Sequence, residues 1–217
     1  MRKISLFLTA AAVTGVMLTG CGSKETSFSP SATCVYIAED GKISSALVES
    51  YEGEVDTEDL KKYLQAAVIT YNQENGAEGK SENKPGTEER LPAALANLEK
   101  TDSAIKVVFD YASAEDLIRF RQTETNEDNS NTITALEVKP ASEATDWFLA
   151  EDFTKADGSA VSLEEMKKNS EGMAVCIEGG GTIQFAGKIN FLALDAEVKD
   201  EYTVTVPDGG KAYVVFK

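Results

Sequence analysis

Histidine is absent from the 217 residues. That gap removes Ser-His-Asp and Cys-His nucleophile systems, His-ligated zinc and the His-Glu-x-x-His helix. Hydrolases that need only two carboxylates stay open, yet among 37 Asp and Glu no pair stands out by its spacing. Basic residues are scarce: 21 Lys and Arg against those acids give a formal charge of −16. A chain this acidic is repelled by nucleic acid and by anionic lipid head groups. Nucleic-acid binding and polybasic membrane docking are therefore excluded. Tryptophan occurs once, at Trp147. Beside Phe148 it reads as a core residue ahead of a sugar-stacking platform. Cysteine occurs three times, at Cys21, Cys34 and Cys176.

Long apolar runs are missing except at the start. Arg2 and Lys3 precede an uncharged stretch from Ile4 to Met17, which ends in Leu18-Thr19-Gly20-Cys21. A basic n-region, an apolar core and a small-residue end describe a secretory signal peptide. The run is 14 residues long and holds Ser5, Thr9, Thr14 and Gly15, so it is a poor permanent span. Residues 1–20 are expected to be removed, leaving 197 residues whose formal charge, without Arg2 and Lys3, is −18. The segment 21–31 is polar and Ser-rich and reads as a flexible tether. Residues 32–217 are long enough for one α+β domain with a real core. A break between two subdomains near 125–150 is the alternative.

Within 32–217 the patterning is explicit. Val35 to Ala38 and Ile43 to Tyr51 flank the turn Glu39-Asp40-Gly41-Lys42, and Asp-Gly between two apolar runs is a strong hairpin signal. Asp56 caps a helix from Thr57 to Asn75, with Leu60, Tyr63, Leu64, Ala67, Val68 and Tyr71 on one stripe. Residues 77–90 read as a mobile loop around Pro85-Gly86. Leu91 to Leu98 suits a short helix or a strand. Ile105, Val107, Phe109 and Tyr111 alternate as a strand. Ser113 caps a second helix to Thr123, a strand is expected over Thr132 to Val138, a short helix over Ala141 to Leu149, and Ser162 caps a last short helix. The C-terminal third is strand-rich: 173–177, 182–186, 189–194, 202–206 and 212–216, the last two alternating well. The fold class is α+β: a mostly antiparallel sheet with two main helices packed on it. Asp56, Ser113 and Ser162 each begin a cap, two acids, an apolar residue and a base. The acids face the positive helix end. Three separate helix starts explain this, and a duplicated unit is the alternative.

Candidate chemistry is thin. Asn126 to Glu137 matches a twelve-residue calcium loop, with Asn126, Asp128, Ser130, Thr132, Thr134 and Glu137 at the ligand positions. Asn stands at the first ligand and Asn131 replaces the turn glycine, so an ordinary polar loop is the favoured reading. Gly179-Gly180-Gly181 lacks the Lys and Ser/Thr of a phosphate loop and reads as a tight turn. Glu178 has no evident sequence partner. Cys34 and Cys176 both lie in strand-like runs. They are either a candidate disulfide, permitted in an exported chain, or two free buried thiols. No catalytic residue, metal ligand or cofactor site is assigned.

Leu18-Thr19-Gly20-Cys21 resembles the bacterial lipobox, and the resemblance implies a diacylglyceryl group on Cys21 and cleavage before it. Two acyl chains anchor stably where one binds only reversibly. Further stretches resemble a loose group of surface lipoproteins of Gram-positive anaerobes that brings no activity to transfer. They are Val35-Tyr36-Ile37 with Gly41-Lys42, Glu58-Asp59-Leu60-Lys61 with Tyr71-Asn72, Ser113-Ala114-Glu115-Asp116 with Phe120, and Tyr213-Val214-Val215-Phe216-Lys217. The expectation is an extracytoplasmic protein attached to the bacterial cell membrane through lipid on Cys21. It is read as a non-enzymatic binding or accessory module with an envelope protein or a cell-wall polymer as partner. A solute-capture subunit of a transporter and a carboxylate-dependent envelope hydrolase are the alternatives.

Overall fold

The structure, a computed structural model, describes residues 28–123, 131–168 and 171–217. Two mostly antiparallel sheets and four helices form it, which is the α+β class. The N-terminal half supplies β1 (Cys34–Ile37), β2 (Ile43–Ser50), α1 (Thr57–Glu74), β3 (Ala93–Lys100), β4 (Ala104–Tyr111) and α2 (Ala114–Thr123). The C-terminal half adds β5 (Ala135–Pro140), α3 (Thr145–Ala150), β6 (Thr154–Lys155), α4 (Leu163–Lys168), β7 (Met173–Glu178) and β8 (Gly181–Phe185). It ends with β9 (Ile189–Leu194), β10 (Glu197–Asp200), β11 (Thr203–Val206) and β12 (Lys211–Phe216). The larger sheet runs β10-β11-β8-β1-β2-β4-β3, and the smaller runs β5-β7-β12-β9-β6.

One main core lies between these layers. Val35 and Ile37 of β1, Ile183 and Phe185 of β8, and Val204 and Val206 of β11 face Val175, Ile177, Ala212, Val214 and Phe216 of the smaller sheet. The same cluster continues under the helices through Val68 and Tyr71 of α1 and Leu117 and Phe120 of α2, packed on Val107, Phe109 and Tyr111 of β4. Phe120 meets Tyr71 and Phe109 at ring-centroid distances of 5.2 Å, and Tyr111 at 6.0 Å. The halves are joined within the larger sheet by β1 and β8, a parallel pair from Val35–Ile183 to Ile37–Phe185. The core therefore draws on residues from both sides of the 125–150 region. A second cluster covers the far face of the smaller sheet, where Trp147, Phe148, Phe153 and Met166 sit on Ala174, Phe191, Tyr213 and Val215.

The helix starts form as their side chains dictate. Asp56 accepts from the amides of Glu58 and Asp59, Ser113 Oγ from Asp116 N at 3.1 Å, and Ser162 Oγ from Glu165 N at 3.2 Å. These bonds satisfy amides that have no partner inside the helix. The three helices that follow pack on different neighbours, as independent starts would: α1 on β3, α2 on β2 to β5, and α4 on α3. The Asp40-Gly41 turn closes the β1–β2 hairpin with Gly41 at φ +79°. Of Leu91 to Leu98, the part from Ala93 onward is strand, since β3 pairs with β4 along its length apart from a bulge between Leu95 and Asn97.

Three readings change. The strands fall into two sheets where one was expected. Tyr202 to Val206 and Ala212 to Phe216 accordingly fall in different sheets, since β11 pairs with β8 and β10, while β12 lies between β7 and β9. The stripe of α1 is rotated: Tyr63 is 71% exposed and Ala67 is exposed, while Asn72 is fully buried beside Val68 and Tyr71. Residues 77–90, read as a mobile loop, have no helix or strand. They are tied to the body through Ser81 O, Asn83 Oδ1 and Arg90, whose guanidinium donates to the carbonyls of Ile43 and Tyr111.

The triple glycine explains how the chain changes sheet. Gly179 and Gly180 link β7 in the smaller sheet to β8 in the larger, and Pro207 to Gly210 carry the chain back from β11 to β12. The two crossings touch: Gly179 N donates to Gly210 O at 2.9 Å, and Thr132 Oγ1 bridges Gly180 N and Asp208 Oδ1. A Cβ on Gly180 would fall 2.3 Å from Asp208 Oδ1 and 2.8 Å from its Cα. Overpacking of that kind costs about 2–3 kcal/mol. Gly180→Ala is expected to lose that much in urea unfolding. Gly53→Ala, in open space at φ +89°, is expected to lose only about 1 kcal/mol. Equal losses would contradict the close crossing.

Candidate functional site

The residues singled out by sequence do not converge on a site. Cys21 lies outside the described residues, as do 126–130 of the calcium-like loop. Of that loop's remaining positions, Thr132 binds the glycine crossing, Thr134 Oγ1 donates to Glu178 O, and Glu137 pairs with Lys139. No group of three or more His, Cys, Asp or Glu that could hold a metal ion occurs among the described residues. Trp147 is a core residue at 9% exposure, tilted against Tyr213 at 5.2 Å with Lys139 Nζ 3.7 Å from its ring centroid. Glu178 has a partner after all, Lys211 Nζ at 2.8 Å. No helix among the described residues is long and apolar enough to cross a membrane.

The candidate disulfide between Cys34 and Cys176 is not formed, and both thiols are free. The reason is topological. Cys34 lies on β1 of the larger sheet and points to its outer face, against Ala46, Val108 and Phe28. Cys176 lies on β7 of the smaller sheet, opposite Tyr213. Burial pushes the Cys34 thiol up to about 12 and also raises that of Cys176. Neither is a thiolate nucleophile at neutral pH. Phe28, near the end of the expected tether, stacks on Tyr36 with centroids 4.3 Å apart and planes 16° from parallel. The domain end of that segment is therefore docked on the outer face of the larger sheet.

Among the described residues, an arrangement suited to recognition is the edge of the larger sheet at β3. α1 runs antiparallel beside β3, with Asn72 near Ala93 and Val55 O accepting from Lys100 Nζ at 3.2 Å. The first half of the edge is sealed by the chain itself. Asn72 accepts from Ala93 N with Oδ1 at 2.9 Å and donates from Nδ2 to Ala93 O and Lys80 O, both at 2.8 Å. Its side-chain amide thus stands in for the backbone of a neighbouring strand. Ser81 O takes the next donor, Leu95 N, at 2.7 Å. Beyond the bulge the sealing stops. Among the described residues, no strand, loop or side chain is hydrogen-bonded to the outward backbone of Ala96 to Glu99. Alongside runs an open groove of about 630 Å³, lined by Thr57, Glu58 and Lys61 of α1 and by Asn97, Leu98 and Lys100 of β3.

The other edges are closed or blunted. β10 is short, fully exposed, irregular in register and charged through Glu197 and Lys199. β5 ends in Pro140 and has α2 against it, and β6 has two residues. Short, charged or covered edges are how sheets avoid unwanted pairing. The β3 edge was not legible as a site because Leu91 to Leu98 also fitted a helix. One signal was present: Asn72 interrupts the row Leu64, Val68, Asn72, and a polar residue on an apolar helical row has a buried partner to satisfy.

Comparison of the chain with protein-family models, with curated proteins and with solved structures finds no match in any of the three.

Asn72→Ala would leave the buried N–H and C=O of Ala93 unpaired, release Lys80 O and open a void. It is expected to destabilise the fold by about 2–4 kcal/mol. Urea denaturation checks this, and a loss below about 1 kcal/mol would contradict the strand-mimic role.

Proposed function

We propose that the chain is a lipid-anchored, extracytoplasmic binding module, non-enzymatic, that holds an envelope protein or a cell-wall polymer in the groove between α1 and the open half of β3. The observation that carries this reading is the partly sealed edge. The fold spends a fully buried asparagine and a pinned loop on closing Ala93 and Leu95, yet leaves the next four residues open beside a groove. Edges without a role are closed. The address supports the compartment: Arg2 and Lys3, the uncharged run, and Leu18-Thr19-Gly20-Cys21. Absence of histidine supports a role without the common nucleophile systems.

The docked Phe28 bears on presentation. Seven residue steps separate it from Cys21, a reach of at most about 25 Å. With Cys21 acylated, the outer face of the larger sheet is held near the membrane, and the β3 edge opens sideways along it. A module reading is favoured over solute capture because the main core is one cluster drawn from both halves, without the two lobes that close on a solute.

Two arms test the proposal. Cells expressing the full chain are fed an alkyne fatty acid. Label on the chain that is lost in Cys21→Ala supports the anchor, and an unlabelled chain contradicts it. Full chain held on beads is then offered purified cell-wall polymer and, separately, solubilised envelope proteins. Saturable retention of one of them, at least tenfold weaker in Thr57→Trp, is expected. Shortening of the polymer, or retention indifferent to Thr57→Trp, would contradict the module.

A further inference from the structure

We infer that the groove takes an extended polypeptide, which adds to β3 as an eighth strand of the larger sheet; this rests on the binding-module reading and narrows its partner to a protein segment. The chemistry of the site is that of backbone pairing. On the sealed half, the occupants of the eighth-strand position are an amide side chain and a main-chain carbonyl: Asn72 supplies one acceptor and one donor to Ala93, and Ser81 supplies an acceptor to Leu95. The open half continues the same line. A strand presents alternate N–H and C=O groups outward, so Ala96 to Lys100 offers what only another strand's backbone complements in sequence. A glycan has hydroxyls in place of that regular alternation.

The dimensions agree. The four open residues, Ala96 to Glu99, together with Lys100 that ends the strand, give roughly 16 Å of edge at about 3.3 Å per residue, and the loop at Glu82 and Asn83 bounds its other end. Glu82 is held toward α1 by Gln65 Nε2 at 3.2 Å and by Lys61 Nζ at 3.7 Å, so the loop closes that end of the groove. The guest is therefore a segment of about five residues. Side chains on one face of it meet Thr57, Glu58 and Lys61 of α1, and those on the other reach the open outer face of the sheet. This is strand addition beside a helix, in which main-chain bonds supply affinity and alternate side chains supply selectivity. Because the host contributes backbone, truncating host side chains along the edge has little effect. The bulge between Leu95 and Asn97 marks where self-pairing ends and guest pairing begins.

The test uses the full chain and a phage-displayed library of random seven-residue peptides. The most enriched peptide is synthesised, then resynthesised with each backbone nitrogen methylated in turn. Strand addition is expected to show an alternating record: methylation at every second position weakens binding at least tenfold, and at the positions between by less than threefold. Lys199→Ala, on the distant β10 edge, is expected to change affinity less than threefold, Thr57→Trp to abolish binding, and peptide-induced amide shifts to centre on Ala96 to Lys100. A peptide indifferent to methylation, or one that shifts residues elsewhere, would overturn strand addition. If no peptide is enriched while cell-wall polymer is retained and lost in Thr57→Trp, strand addition fails and the module survives. If neither is held, both fall.

Discussion

A seven-stranded sheet carries a wider apolar face than a five-stranded sheet can cover, and the arrangement of this molecule follows from that mismatch. The smaller sheet covers Val35, Ile37, Ile183, Phe185, Val204 and Val206. The remainder of the face, through Phe109, Tyr111 and Val107 to Leu95, needs another cover, and α2 and α1 provide it. α2 lies against both β5 and the strands of the larger sheet, and so closes the gap between the two kinds of layer. Phe120 at that junction touches three aromatic rings, from α1 and β4. Truncating such a residue typically costs 3–5 kcal/mol, which places α2 among the supports of the whole fold.

α1 comes last in this cover and lies mainly along β3, with Tyr71 reaching Phe120 and Asp116 of α2. Its C-terminal half is buried through Val68, Tyr71 and Asn72, while Leu60 and Leu64 nearer its start are half-exposed. The buried half brings the asparagine that seals Ala93. The less buried half leaves a groove. The open edge is thus a geometric result of where the cover ends, and the partial sealing determines which residues stay available.

Local structure was largely readable, because it depends on neighbours in the chain. The three caps at Asp56, Ser113 and Ser162 and the hairpin at Asp40-Gly41 follow from side chains within a few residues. The division into two sheets was not readable. β8 and β11 alternate between buried and half-buried residues, while β12 is buried at five consecutive residues because the smaller sheet is covered on both faces, but a two-residue link such as Gly179-Gly180 looks the same for a hairpin as for a crossing. What decides it is long-range: Asp208 and Thr132 packed on Gly180, 28 and 48 residues away in the chain. The choice between a disulfide and two free thiols stayed open in the sequence for the same reason, since the Cys34 and Cys176 strands read alike, and their places in different sheets decide for free thiols. The β3 edge escaped notice because an amide on α1 supplies its missing strand, and no short sequence window contains both.

The central claim is that β3 has a sealed half and an open half. Residue-by-residue amide hydrogen exchange on the isolated chain measures this directly. The amides of Ala93 and Leu95 are expected to exchange as slowly as the core of β4, while the outward-facing amides between Ala96 and Lys100 exchange as fast as those of exposed loops. Even protection from Ala93 through Lys100 would contradict the account, because it would mean that the edge is already paired.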